Sequence, residues 1–159
     1  MHLDGSGILT LLNNKVFNCI LIEDGKGYVV IVGDYILDWG GQVARVGIIN
    51  VYSSCSNNDK LVLWDHIGHV KSNYNSIAWC VVGDFNAVRH YKERQGIGHA
   101  RVNKIEVKGF DAFIDDNKLF DLPIVGRKFI WYRPNGITKS RLDRVLVSDL
   151  WLQIWPESR

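Results

Sequence analysis

The run Ile77–Val82, IAWCVV, is the feature that most narrows what this chain can become. Six consecutive apolar residues are short for a helix and carry no alternation. They read as a strand buried on both faces, of the kind found in the middle of a layered α/β sheet. Gly83-Asp84-Phe85-Asn86 follows at once. A carboxylate and a carboxamide two residues apart on extended chain can face one crevice, because side chains alternate with period two. Asp84 can then polarise a water or hold a metal, and Asn86 can donate to a phosphoryl oxygen. The same residues also suit an Asx-turn leaving a strand.

The surroundings support a sheet. Gly7–Leu12, Val16–Ile22, Tyr28–Val32 and Ala44–Tyr52 are rich in β-branched residues and are separated by turn formers, with Asn13-Asn14 read as a two-residue hairpin turn. A helix is expected over 59–74, where Leu63, Ile67, Val70 and Tyr74 form one stripe, and another over 104–117, with Val107, Phe110, Phe113 and Ile114 on one face. The stretch 88–103 reads as a long exposed loop. Phe129–Tyr132 and Arg141–Ser148 read as two strands joined through the turn Arg133-Pro134-Asn135-Gly136. Strands, helix, buried strand, helix and strands in that order predict an α/β layered domain rather than a regular βαβ repeat. The length, 159 residues, fits one such domain.

Charge divides the chain unevenly. Residues 1–79 hold five Lys/Arg against seven Asp/Glu, and residues 80–159 hold 14 against 10. A basic second half suits a phosphate-rich partner, although a solvated charged face has the same composition. No apolar run is long enough for a membrane span, and the first residues do not read as a signal peptide. Cys19, Cys55 and Cys80 are odd in number and lack CxxC spacing, which argues against a disulfide framework and a zinc site. The expected location is intracellular, the nucleus included, and not secreted. His66 and His69 stand three apart on the first helix, but two ligands make no zinc site.

Two further motifs carry polar chemistry. Ser140-Arg141-Leu142-Asp143-Arg144 places Asp143 inside a strand-forming segment, where carboxylates are depleted. It is either a surface ion pair or an acid that orients an imidazole. Asn50-Val51-Tyr52 ends a strand with a phenol that can reach a phosphate, or with an ordinary edge tyrosine.

Together the three motifs resemble, in order, the Asn-x-Tyr, Gly-Asp-x-Asn and Arg-Leu-Asp strands of the endonuclease/exonuclease/phosphatase superfamily. Leu119–Arg144, LFDLPIVGRKFIWYRPNGITKSRLDR, and the loop residues Arg89, Glu93, Arg94 and Gly96 are similar to blocks of the plant LINE-type retrotransposon branch. The resemblance runs over residues 7–156. It implies a sandwich of two β-sheets flanked by helices, truncated at both ends, and a single partial domain over 1–159. It also implies Mg²⁺-assisted phosphodiester hydrolysis on DNA. By resemblance, Asp84 aligns the attacking water, Asn86 orients that carboxylate or the phosphate, Tyr52 contacts phosphate, and Asp143 is the acid paired with a catalytic histidine. Arg89, Arg94, Arg127, Lys128, Trp131 and Arg141 are the candidates for meeting nucleic acid.

Two family features are not found. The metal-binding Glu of an early strand has no counterpart here, and the Ser-Asp-His signature expected after the Arg-Leu-Asp strand is not reached, since Ser148-Asp149-Leu150 lacks a histidine. The expected function is therefore a DNA endonuclease fragment, inactive as it stands, with doubtful Mg²⁺ binding of its own. A non-catalytic relic or protein-interaction fragment, or a phosphomonoesterase of the same superfamily, is the alternative. On either reading, Tyr52, Asp84, Asn86 and Asp143 should converge on one cleft.

Overall fold

The computed structural model describes residues 7–38, 40–95, 103–123, 131–132 and 139–158. Three strands open the fold: β1 (Phe17–Gly25), β2 (Tyr28–Ile36) and β3 (Val43–Tyr52) pair antiparallel, each with its neighbour in sequence. Helix α1 (Asn57–Asn73) then crosses over, so that β4 (Ala78–Asp84) joins β3 in parallel. Strand β9 (Asp143–Ser148) pairs antiparallel with β4, and the short β6 (Leu119–Asp121) closes the order β1-β2-β3-β4-β9-β6. A smaller sheet has the order β5-β8-β7 and is built from Arg94–Gln95, Trp131–Tyr132 and Lys139–Ser140, which are β5, β7 and β8. Helix α2 (Lys104–Asp116) precedes β6, and α3 (Asp149–Ile154) follows β9. This is the α/β class that the order of apolar segments implies.

The main sheet is buried on two faces by different partners. Val30, Val32, Ile49, Val51, Trp79, Val81 and Leu146 lie on one face against Leu63, Trp64, Ile67 and Val70 of α1 and Phe110, Phe113 and Ile114 of α2. Phe17, Ile31, Val46 and Ala78 lie on the other, packed by Trp151 and Trp155 in and after α3. Because both faces of β4 are covered along Ala78–Val81, its sequence has no polar alternation. Fully burying side chains of this size stabilises the fold by about 1.5–3 kcal/mol each.

Several expectations need correction. Gly7–Leu12 is not in a ladder: Leu9 and Leu11 are exposed, and the segment is held instead by the Asn50 carboxamide, which donates to the Thr10 hydroxyl at 3.0 Å and to the Leu9 carbonyl at 3.4 Å. Asn13-Asn14 is therefore a turn into β1 and not a hairpin between two strands. The loop expected from Val88 starts buried, with Val88 in contact with Val107 and Leu142, and it forms a 3₁₀ turn at Tyr91–Glu93 before β5. The partner of β7 is β8 rather than the Arg141–Ser148 segment, which belongs to the main sheet. The turn Arg133–Gly136 lies outside the described residues. Helix α3 was not expected; the Ser148 hydroxyl accepts from the Trp151 amide and starts it.

Candidate active site

Register places the polar motifs side by side. Tyr52 at the end of β3 is opposite Asp84 at the end of β4, and Asp84 is opposite Asp143 at the start of β9. Directly opposed residues share a sheet face, so the three side chains form one row across three neighbouring strands. Arg144, next along β9, faces the α2 side, with its guanidinium 5.2 Å from the Phe110 ring centre. Alternation therefore puts Asp143, and with it the row, on the opposite face from α1 and α2. Tyr52 is exposed, and Asp84 and Asp143 are half-buried. Beside Asp143 a cavity of about 440 Å³ is walled by Val82, Leu122, Pro123 and Val145. Burial against these groups, and then the neighbouring Asp84 charge, raises the Asp143 carboxyl above the ordinary carboxylate range.

The end of β4 is shaped by its glycine and its asparagine. Gly83 has φ +136°, and a Cβ there would sit 2.0 Å from the Val51 carbonyl oxygen, so only glycine allows the strands to approach this closely. Phe85 drops into the core while its amide donates to the Leu142 carbonyl at 3.0 Å. Asn86 then turns left-handed at φ 47°, a conformation asparagine tolerates better than most residues. Its amide donates to Asp84 Oδ1 at 2.8 Å, which is the Asx-turn, and its carboxamide donates to the Ser53 carbonyl at 2.6 Å. Its own carbonyl accepts from the buried Lys60 Nζ at 2.6 Å, and Lys60 pairs with Glu106 at 3.0 Å.

The start of β9 rests on a lattice of charges. The side chain of Arg144 is fully buried and donates to both Glu93 and Asp121. Arg141 reaches Asp121 at 2.7 Å, the Leu122 carbonyl at 3.1 Å and Glu93 at 3.7 Å. Glu93 also accepts the amides of Arg89 at 2.7 Å and His90 at 3.1 Å. Burial pushes the Glu93 carboxyl up, but the hydrogen bond and charge of Arg144, together with those two amides, outweigh it and hold the group below its ordinary value.

Solved structures with this arrangement of elements are informative. An endonuclease/exonuclease/phosphatase family protein from Bacteroides thetaiotaomicron superposes with a TM-score of 0.51 at 16% identity, over 84% of this chain and 52% of that one. The endonuclease domain of TRAS1, a telomere-specific non-LTR retrotransposon, gives 0.56 at 14% identity, over 80% and 52%. A β-hairpin deletion mutant of the Staphylococcus aureus beta toxin gives 0.51 at 14% identity, over 79% and 44%. The fold is that of endonuclease/exonuclease/phosphatase proteins. The chain spans about half the length of these structures. No protein-family model matches the sequence, and no curated protein does.

Within this endonuclease/exonuclease/phosphatase fold the remaining candidates separate by environment. Arg89 is tied to Asp111 at 2.6 Å and to Asp115 at 2.7 Å on α2, and Arg141 is held in the lattice just described, so both guanidinium groups already bind carboxylates. Arg94 donates to the Ser140 hydroxyl at 3.3 Å. Trp131 lies in β7 opposite Ser140, while Arg127 and Lys128 lie outside the described residues. His66 and His69 are on the exposed side of α1, with His69 3.5 Å from Asp65. Among the described residues no three His, Cys, Asp or Glu side chains gather as a metal cage would require. Among the described residues no helix is long and apolar enough to cross a membrane.

Sequence reasoning missed Lys60 and the pairing of Glu93 and Asp121 with Arg144. Lys60 had a signal: it precedes Leu63, Trp64 and Ile67 at helical spacing and so sits on the buried stripe of α1. A lysine in that position needs a partner.

Proposed function

We propose that this chain carries the central part of a phosphodiester-cleaving site acting on DNA, of non-LTR retrotransposon type, and that it does not turn over substrate by itself. The observation that carries this reading is the row Tyr52, Asp84, Asp143 on adjoining strand ends, with Asn86 fixed behind Asp84. One oxygen of Asp84 is occupied by the Asn86 amide, which leaves the other to align a water and accept its proton. Asp143 stands beside Asp84 in the row, its carboxyl raised above the ordinary value by burial and then by the Asp84 charge. The exposed Tyr52 phenol donates to a phosphate oxygen. Arg94, Arg127, Lys128 and Trp131 meet the nucleic acid strand, whereas Arg89 and Arg141 serve the fold. The fold shared with the TRAS1 endonuclease domain and the late block Leu119–Arg144 support the retrotransposon assignment.

Turnover needs more than this row. The two carboxylates add negative charge beside the attacked phosphate and do not compensate its own, and loss of one stabilising donor costs on the order of 10²–10³ in rate. The non-catalytic alternative is thus part of the proposal. The test uses supercoiled plasmid with Mg²⁺, comparing the chain with Asp84→Ala, and DNA binding at low and physiological salt. The expected result is no difference in nicking between the two proteins, and binding that weakens steeply with salt, by about 0.9 in logarithmic slope for each phosphate contact. Nicking lost in Asp84→Ala would show a complete site, and salt-independent binding would exclude the phosphate-contact reading.

A further inference from the structure

Lys60 sits where a lysine is costly twice over. It is 3% exposed, so its ammonium has left water. It also lies in the N-terminal part of α1, where the helix dipole disfavours a cation. Its ion pair with Glu106 does not account for the choice, because a buried ion pair is commonly replaced by apolar residues of similar size without loss of stability. The stripe that Lys60 joins, with Leu63, Trp64 and Ile67, is one an apolar residue would complete.

The other contact of the ammonium lies at the site. Lys60 Nζ is 2.6 Å from the carbonyl of Asn86, the residue held at φ 47°. That left-handed turn points the Asn86 amide back at Asp84 Oδ1, 2.8 Å away, and so sets the rotation of the Asp84 carboxylate. We propose that Lys60 is a positioning residue: its buried ammonium fixes the left-handed turn at Asn86, and through that turn the direction in which Asp84 presents its free oxygen. Lys60 touches no reacting atom. Its functional meaning rests on the phosphodiesterase reading above, but the geometry can be tested without DNA.

The experiment is NMR on the full chain, following the Asn86 backbone amide and the titration of the Asp84 carboxyl carbon. Four proteins are compared: the parent chain, Glu106→Gln, Lys60→Met, and the double variant Lys60→Met with Glu106→Leu. The double variant removes both charges, so it stays informative if the single lysine variant fails to fold. The expected result is that both lysine variants shift the Asn86 amide and move the Asp84 titration, while Glu106→Gln, which keeps the bond from Lys60 to Asn86, leaves both unchanged. A folded double variant with Asn86 and Asp84 signals as in the parent would overturn the proposal. So would a Glu106→Gln variant that moves them as far as loss of the lysine does, since Lys60 would then be only the counterion of Glu106. Neither outcome bears on whether DNA is bound or cut, so the two readings fail separately.

Discussion

Asp84 and Asp143 face each other across one strand pair, yet the chain supports them in different ways. Asp84 ends a strand and is aimed by a backbone turn, with one glycine before it, one left-handed asparagine after it and one lysine behind that asparagine. Asp143 begins a strand and has no such turn; Arg141 and Arg144 anchor the chain on either side of it to Glu93 and Asp121. The first arrangement depends on backbone shape, the second on charge pairing in a desolvated layer. A site assembled this way is vulnerable to small steric changes on one side and to single charge deletions on the other.

The largest effect should come from breaking the charge lattice. Arg144→Ala takes from Glu93 and Asp121 the fully buried one of the two arginines they share, leaving Arg141, and is expected to cost about 3–5 kcal/mol in chemical denaturation. A loss below about 1 kcal/mol, the size typical of an exposed pair, would mean that the layer is wet. On the other side, Gly83→Ala forces a Cβ against the Val51 carbonyl at a backbone angle L-residues rarely adopt, for an expected loss of about 2–3 kcal/mol. If the alanine variant melts with the parent protein, β3 and β4 are not as close as the structure has them.

The smallest and sharpest contrast is in pH. Glu93 is held below its ordinary value in the fold, so its contribution to stability is present above its unfolded pKa and is lost as pH falls through the folded one. Asp143 is raised, so the fold favours its protonated form. Its contribution is complete below the unfolded pKa and disappears as pH rises through the folded one. Thermal melts should therefore show Glu93→Gln weakest relative to the parent at neutral pH and converging with it in acid. Asp143→Asn should match the parent in acid and gain on it as pH rises above the ordinary carboxylate range. Parallel pH curves for the two variants would show that the two sides of the site are not distinct.

What the sequence made legible follows from local physics. IAWCVV reads as a doubly buried strand because six apolar residues ended by Gly-Asp are short for a helix and carry no alternation, and the stripes of α1 and α2 are visible because burial against a flat sheet repeats with the helix. The alignment of Tyr52, Asp84 and Asp143 was readable only as motifs at strand ends; which strands adjoin is a matter of register. Gly7–Leu12 has a strand's composition, but a strand also needs a partner ladder, and composition does not supply one. Helix α3 is only six residues long, too short for periodicity to speak. The partners of the basic residues were least legible: Arg89 and Arg141 look like phosphate ligands in one dimension, and only the fold brings Asp111, Asp115 and Asp121 to them.

The antiparallel junction of β4 with β9 also sets an order of assembly. The meander of β1, β2 and β3 closes short loops, and β3 meets β4 across the single helix α1. Between β4 and β9 lie α2, β6 and all three strands of the small sheet, which makes this pairing the most distant in sequence of any in the main sheet. Loop-closure entropy makes such contacts slow to form relative to local ones. On that ground the two carboxylates are expected to meet late in folding, after Tyr52 has come beside Asp84 and together with the formation of the buried arginine lattice.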